Sequence, residues 1–216
     1  MNRKSATADL VTSLPGIDEP SQTQFAGYAA ITGNIVEKTP SGKEESLFYW
    51  FVGCEDYANK PTIIWTNGGP GSSFWGFFLE NGPYEIVSAE KPALAPRKEA
   101  WNNYANYLIF EHPLSVMLSF AADDEDIPAN VGEGIQQYYQ ALINFMDMHP
   151  EIAANPIILA GESYAGTYLP LLSQAILDGN RKEGNRKLQL KATVLLDAWV
   201  DPYTQMAQDT NYALMH

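Results

Sequence analysis

Four short apolar runs, Thr62–Thr66, 107–110, 157–160 and 190–196, punctuate the chain, each bounded by turn residues. Short runs of this kind are expected of strands covered on both faces of a parallel sheet. Between the second and third runs, Ile135, Tyr138, Tyr139, Leu142, Phe145 and Met146 recur at helical spacing. They predict an amphipathic helix with Asn130 as its cap and Pro150 as its stop. After the third run, residues 164–177 predict a second helix closed by Gly179, with Pro170 kinking its axis or disturbing one turn. Upstream, residues 27–32 and 46–52 are aromatic and β-branched, and the loop between them contains Gly33, Asn34, Pro40 and Gly42. This predicts an antiparallel pair leading into the main sheet. Strand and helix in alternation point to an α/β fold with a mostly parallel sheet.

Composition narrows the picture. With 216 residues, 45% hydrophobic and 18% charged, the chain can bury a substantial single core, which excludes disorder throughout. Residues 1–24 are expected as a flexible N-terminal segment and 25–216 as one domain, without internal repeats. Thirteen Lys and Arg against 26 Asp and Glu leave a net charge of -13. Such a surface repels phosphate backbones, so nucleic acid is not an expected partner. No run reaches the ~18 apolar residues of a membrane span. Residues 1–22 are mostly polar, with no apolar stretch after Arg3 and Lys4, so neither membrane anchor nor signal peptide is expected. The single cysteine, Cys54, excludes an internal disulfide, and there is no Asn-x-Ser or Asn-x-Thr sequon.

Two segments carry candidate chemistry. In Ile157-Ile158-Leu159-Ala160-Gly161-Glu162-Ser163-Tyr164-Ala165-Gly166 a buried strand runs through small residues into a helix. That is the setting of a nucleophile elbow, where Ser163 is lifted on a sharp turn and its neighbours two before and two after must be small. Gly161 and Ala165 meet that need, although Ala165 departs from the glycine of GxSxG. The helix N-terminus behind Ser163 favours an oxyanion. A serine that merely caps a helix is the bland alternative. The second segment, Trp65-Thr66-Asn67-Gly68-Gly69-Pro70-Gly71-Ser72-Ser73, follows the first parallel strand. Adjacent glycines let a peptide N–H be aimed at a bound oxygen. The segment lacks the Lys and Ser or Thr of a P-loop and the spacing of a dinucleotide fingerprint.

Together these segments resemble the serine carboxypeptidase family of α/β-hydrolase fold, with GESYAG at the nucleophile and NGGPGxS at the oxyanion loop. Glu80-Asn81-Gly82-Pro83, Trp101-Asn102, Asn130 to Gly134 and Val200-Asp201-Pro202 extend the resemblance. It covers about Gly27 to His216 and corresponds to the first half of a typical member. It therefore implies a mostly parallel sheet with helices on both faces whose C-terminal strands are truncated. The resemblance implies that Ser163 is acylated and that the backbone N–H groups of Gly69 and Tyr164 form the oxyanion hole. Asn67 and Glu162 would bind the substrate's terminal carboxylate, with Glu80 completing a carboxyl pair and Trp65 and the Gly68 backbone supporting them. Two carboxyls forced together share a proton, so one can donate to the substrate carboxylate. The expected partner is a peptide with a free C-terminus. Neither metal nor organic cofactor is expected, and the family's usual settings are secreted, periplasmic or acidic compartments.

The match breaks at the general base. In the family, aspartate and histidine follow the serine, yet here the only later histidine is the last residue, His216. His112 and His149 precede the serine, and Asp178, Asp197 and Asp201 read as turn residues and caps. Glu111-His112-Pro113-Leu114-Ser115-Val116-Met117 replaces a glycine-containing segment, and Leu196-Asp197-Ala198 replaces GNG, so Met117 or Trp199 is a candidate to reshape the pocket. A truncated sheet exposes an edge and an apolar face, predicting a complementary C-terminal chain or self-association. Three readings remain open at this level. One is a serine-type carboxypeptidase incomplete as this chain alone, the second a non-catalytic carboxylate- or peptide-binding protein, and the third an acyltransferase on the same scaffold.

Overall fold

A computed structural model describes residues 6–88, 90 and 93–215. Its elements are, in order, β1 (Gln24–Ala30), β2 (Ser46–Val52), β3 (Thr62–Thr66), α1 (Trp75–Leu79), β4 (Tyr84–Ser88), β5 (Ala93–Pro96) and β6 (Asn106–Phe110). There follow α2 (Val131–Met148), β7 (Pro156–Glu162), α3 (Ala165–Arg181), β8 (Gln189–Leu196), α4 (Pro202–Met206) and α5 (Asp209–Met215). One six-stranded sheet runs β1-β2-β6-β3-β7-β8. β1 and β2 are antiparallel to their neighbours, whereas β6, β3, β7 and β8 are mutually parallel. The four apolar runs thus form the parallel part, and the upstream pair forms the antiparallel extension.

Consecutive residues of the central strands feed opposite cores, as the period of two requires. Ile64, Leu108, Phe110, Ile157 and Leu159 pack with α2 and α3 on one face. Trp65, Tyr107, Ile109 and Ala160 pack with Phe74, Phe77 and Tyr84 on the other, so α1 and the β4–β5 hairpin cover that side. Helices therefore lie on both faces, although α1 is only five residues long.

α2 begins where expected. The Asn130 side chain accepts from the Glu133 N–H at 3.0 Å, and Glu133 accepts in return from the Ala129 N–H at 2.9 Å, which satisfies two helix-start donors. α3 differs from expectation, because it runs through Gly179 to Arg181 instead of stopping there. The reason is packing. A Cβ at position 179 would lie 1.8 Å from the Tyr139 hydroxyl, so the glycine is a notch that lets α3 meet α2. Pro170 sits exposed inside the same helix.

The N-terminal segment expected as flexible is, from Ala6 on, in contact with the body. The Tyr49 hydroxyl donates to Asp9 at 2.8 Å, the Val11 N–H to Gln24 at 3.0 Å, and the Leu94 N–H to Pro15 at 2.8 Å. β8 also departs from its apolar pattern. Among the described residues it pairs only with β7, and Val194, Leu195 and Leu196 are exposed, where a central strand would be covered on both faces. α4 and α5 add exposed Tyr203, Met206, Leu214 and Met215, which extends the uncovered apolar surface at that end of the sheet.

Candidate active site

At the C-terminal end of β7 the chain turns through Ser163, whose φ of +54° is a left-handed value that a residue with a Cβ adopts at a cost. Neighbouring strands and turns hold it there. The Ser163 N–H donates to Leu196 O at 3.1 Å, and the Ser163 carbonyl accepts from the Trp199 N–H at 2.7 Å and the Gly166 N–H at 3.0 Å. Small residues permit the close passage. A Cβ on Gly161 would lie 2.3 Å from Thr66 O and 2.7 Å from the Ala165 Cβ, while one on Gly166 would lie 2.8 Å from the Trp199 backbone. Ser163 itself is exposed. The strand–turn–helix context that defines a nucleophile elbow is thus complete.

The glycine loop after β3 lies directly against this turn. A Cβ on Gly68 would stand 2.6 Å from Tyr164 N and 2.7 Å from the Ser163 Cβ. Gly69, with φ +113°, takes a backbone conformation that side chains rarely allow. Among the described residues, neither the Gly69 nor the Tyr164 N–H is engaged by another backbone carbonyl, which leaves both available to a bound oxygen.

Beside the elbow lies a polar cluster. Asn67 is buried; its side-chain N–H donates to Glu162 at 2.9 Å, and its Oδ1 accepts from the Trp65 indole at 3.0 Å and the Gly76 N–H at 3.0 Å. These two donors fix which way the amide points. Glu80 follows α1 and retains solvent exposure, but its carboxyl turns in against Glu162. Burial, then the Glu162 charge and the hydrogen bond between the two, hold the Glu80 carboxyl above the usual carboxylate range. All the residues singled out in the sequence (Ser163, Gly69, Tyr164, Asn67, Glu162, Glu80, Trp65 and Gly68) therefore meet at one end of the sheet.

A family model described as serine carboxypeptidase matches residues 15–216. The chain belongs to the serine carboxypeptidase family. Among its curated relatives, the pheromone-processing carboxypeptidase KEX1 of Ajellomyces capsulatus is 33% identical over 217 residues, 99% of this chain and 32% of that protein. Serine carboxypeptidase-like 35 of Arabidopsis thaliana is 33% identical over 96% of this chain and 43% of its own length. A solved prohormone-processing carboxypeptidase, Kex1 from Saccharomyces cerevisiae, superposes with TM-score 0.84 at 27% identity, covering 98% of this chain and 47% of that one. The fold is that of this α/β-hydrolase family. The chain spans less than half the length of these relatives.

The histidines lie away from the serine hydroxyl. His112 is buried between Tyr138 and Tyr168, ring centroids 4.7 and 4.8 Å away. Neither ring nitrogen has a hydrogen-bond partner, and burial depresses its pKa to about 3, so it is a neutral core imidazole. His149 follows α2, buried, 3.2 Å from the Tyr49 hydroxyl and 3.3 Å from Glu151. His216 lies outside the described residues. Asp178 pairs with Arg181, Asp201 accepts from Thr204 at the start of α4, and Asp197 sits in a left-handed turn at φ +42°.

Two expectations about the pocket change character. Trp199 acts through its backbone, its N–H on Ser163 and its carbonyl accepting from Thr167 Oγ1 at 3.0 Å. Met117 is exposed at the tip of a turn, while its neighbour Val116 approaches Gly71. Sequence reasoning missed that α1 supplies the Gly76 N–H that orients Asn67. The signal available was the short apolar stretch Trp75–Leu79 immediately before Glu80.

Proposed function

We propose that this chain is the nucleophile-bearing part of a serine-type carboxypeptidase that removes C-terminal residues from peptides through an acyl-enzyme on Ser163. The observation that carries the reading is the Asn67–Glu162–Glu80 cluster beside a serine held at positive φ. A site meant only to hold a helix start has no use for two carboxyls hydrogen-bonded to each other, one of them next to its serine.

In this reading the substrate's terminal carboxylate lies on the Asn67 amide and the protonated carboxyl of the pair. The scissile carbonyl then faces Ser163 Oγ, and its oxygen turns to the Gly69 and Tyr164 N–H groups, donors placed before the reaction begins. Oγ attacks the carbonyl carbon, its proton passes to a general base and then to the departing amine, and water later cleaves the ester. No described histidine bonds Ser163 Oγ. In this reading the base and its orienting acid are residues other than His112 and His149. An acyl acceptor other than water would use the same intermediate, but no observation favours it.

The carboxyl pair sets the pH dependence. The Glu80 pKa is raised, so Glu80 keeps its proton above the usual carboxylate range and loses it as pH climbs through the raised value. Below that point the pair presents a donor to the substrate; above it, two negative charges repel the substrate carboxylate. KM for a peptide with a free C-terminus is expected to rise with pH through this window. The same peptide with an amidated C-terminus, and the Glu80→Gln variant, are expected to lose most of that dependence. Steady-state kinetics from acid to neutral pH checks this, and a pH response shared equally by acid and amide substrates would remove the carboxylate role.

A further inference from the structure

Glu111 is fully buried, and no Lys, Arg or His among the described residues pairs with it. An unpaired carboxylate is an expensive group to bury and persists where its hydrogen bonds serve something. Those bonds reach two different loops. The Ser73 hydroxyl donates to Oε1 at 2.5 Å and the Leu118 N–H to Oε2 at 3.3 Å. The Glu111 backbone carries the same junction into the sheet: its carbonyl accepts from Ser119 Oγ at 2.7 Å, and its N–H donates to Phe48 O at 2.9 Å. The Ser119 hydroxyl in turn accepts from the Phe48 N–H at 2.7 Å.

Both loops need holding. Ser73 closes the glycine loop that carries Gly68 and Gly69, and it sits at φ +52°. On the other side, Ser115 and Met117 stand at φ +82° and +41°, and the turn they form closes through the Ser115 N–H to Ser119 O at 2.6 Å. The two loops also touch, since a Cβ on Gly71 would lie 3.3 Å from a Val116 methyl. Left-handed non-glycine residues persist only where their surroundings enforce them. One carboxylate bridging the two loops supplies part of that enforcement.

We propose that Glu111 is a positioning residue that ties the glycine loop to the 115–119 turn through Ser73 and Leu118, and so fixes the Gly69 N–H against the Ser163 elbow. The tie follows from geometry alone; its consequence for catalysis rests on the carboxypeptidase reading. A misplaced oxyanion donor slows acylation and leaves recognition of the substrate carboxylate, which belongs to Asn67, Glu162 and Glu80, largely intact.

The test compares wild type, Glu111→Ala, Ser73→Ala and the double variant in the full polypeptide. Two quantities are read: hydrogen exchange in residues 66–76 and 113–120, and the rate at which a fluorophosphonate labels Ser163. Glu111→Ala is expected to speed exchange at least tenfold in both segments and to slow labelling at least tenfold. Ser73→Ala, which removes one hydroxyl, is expected to speed exchange in 66–76 and to add little to Glu111→Ala in the double variant. Should Glu111→Ala fail to fold, Ser73→Ala decides the matter alone. Unchanged exchange in 66–76 with unchanged labelling would overturn the proposal, as would additive effects in the double variant. Absence of labelling in wild type would count against the hydrolase reading instead, and the exchange pattern would still decide the tie.

Discussion

Gly161→Ala is expected to cost about 3 kcal/mol of stability, a large fraction of the total for a marginally stable domain. The added methyl would lie 2.3 Å from Thr66 O and 2.7 Å from the Ala165 Cβ, and neither can retreat. Thr66 is the last residue of β3, paired with position 161 itself, and Ala165 begins α3 behind the elbow. Relief would require β7 and α3 to separate, which would also release the left-handed turn at Ser163. Thermal or urea unfolding with a parallel glycine loop control, Gly42→Ala, checks this. A Cβ at position 42 meets nothing within 4 Å, so the control pays only for its φ of +75° and should lose much less.

Ser163→Ala is expected to abolish turnover, a loss on the order of a millionfold in kcat where a base is present to assist the serine. The groups assigned to the substrate carboxylate are untouched by that change. Peptide affinity should therefore persist, and it should remain tied to a free C-terminus. Stability should rise slightly or hold, because no described group depends on the hydroxyl and alanine carries the same left-handed cost as serine. Isothermal titration with acid and amide forms of one peptide separates the two roles. Equal loss of binding and turnover would mean that the serine anchors ligand and does not attack it.

Much of this arrangement was legible before the structure. The central parallel strands and α2 announce themselves because their apolar positions repeat over enough residues to define a period. The elbow is legible for a different reason: Gly161, Ser163, Ala165 and Gly166 are small where strand and helix must pass within contact distance. Features that depend on partners distant in sequence were not readable. α1 is a five-residue helix with aromatic residues facing more than one direction, too short to show a period. Gly179 has the form of a helix stop, and only the Tyr139 hydroxyl across the helix pair shows it to be a packing notch. The apolar run of β8 says that the strand is to be covered, not by what: α3 lies along it, with Ser173 Oγ 2.7 Å from Thr193 Oγ1, yet Val194, Leu195 and Leu196 stay exposed. Glu111 looked like one residue of an altered loop, because its partners Ser73 and Leu118 lie 38 and seven positions away. His112 and His149 attract notice as the only histidines near the middle of the chain, yet both are buried, His112 against Tyr138 and His149 against Tyr49.

Whether Ser163 is the activated nucleophile proposed above is decided by mass-spectrometric mapping of a fluorophosphonate adduct on the full polypeptide. A single adduct is expected on Ser163, lost in Ser163→Ala and slowed by a peptide with a free C-terminus but not by its amide. An unlabelled Ser163, under conditions that label a control serine hydrolase to completion, would contradict that role.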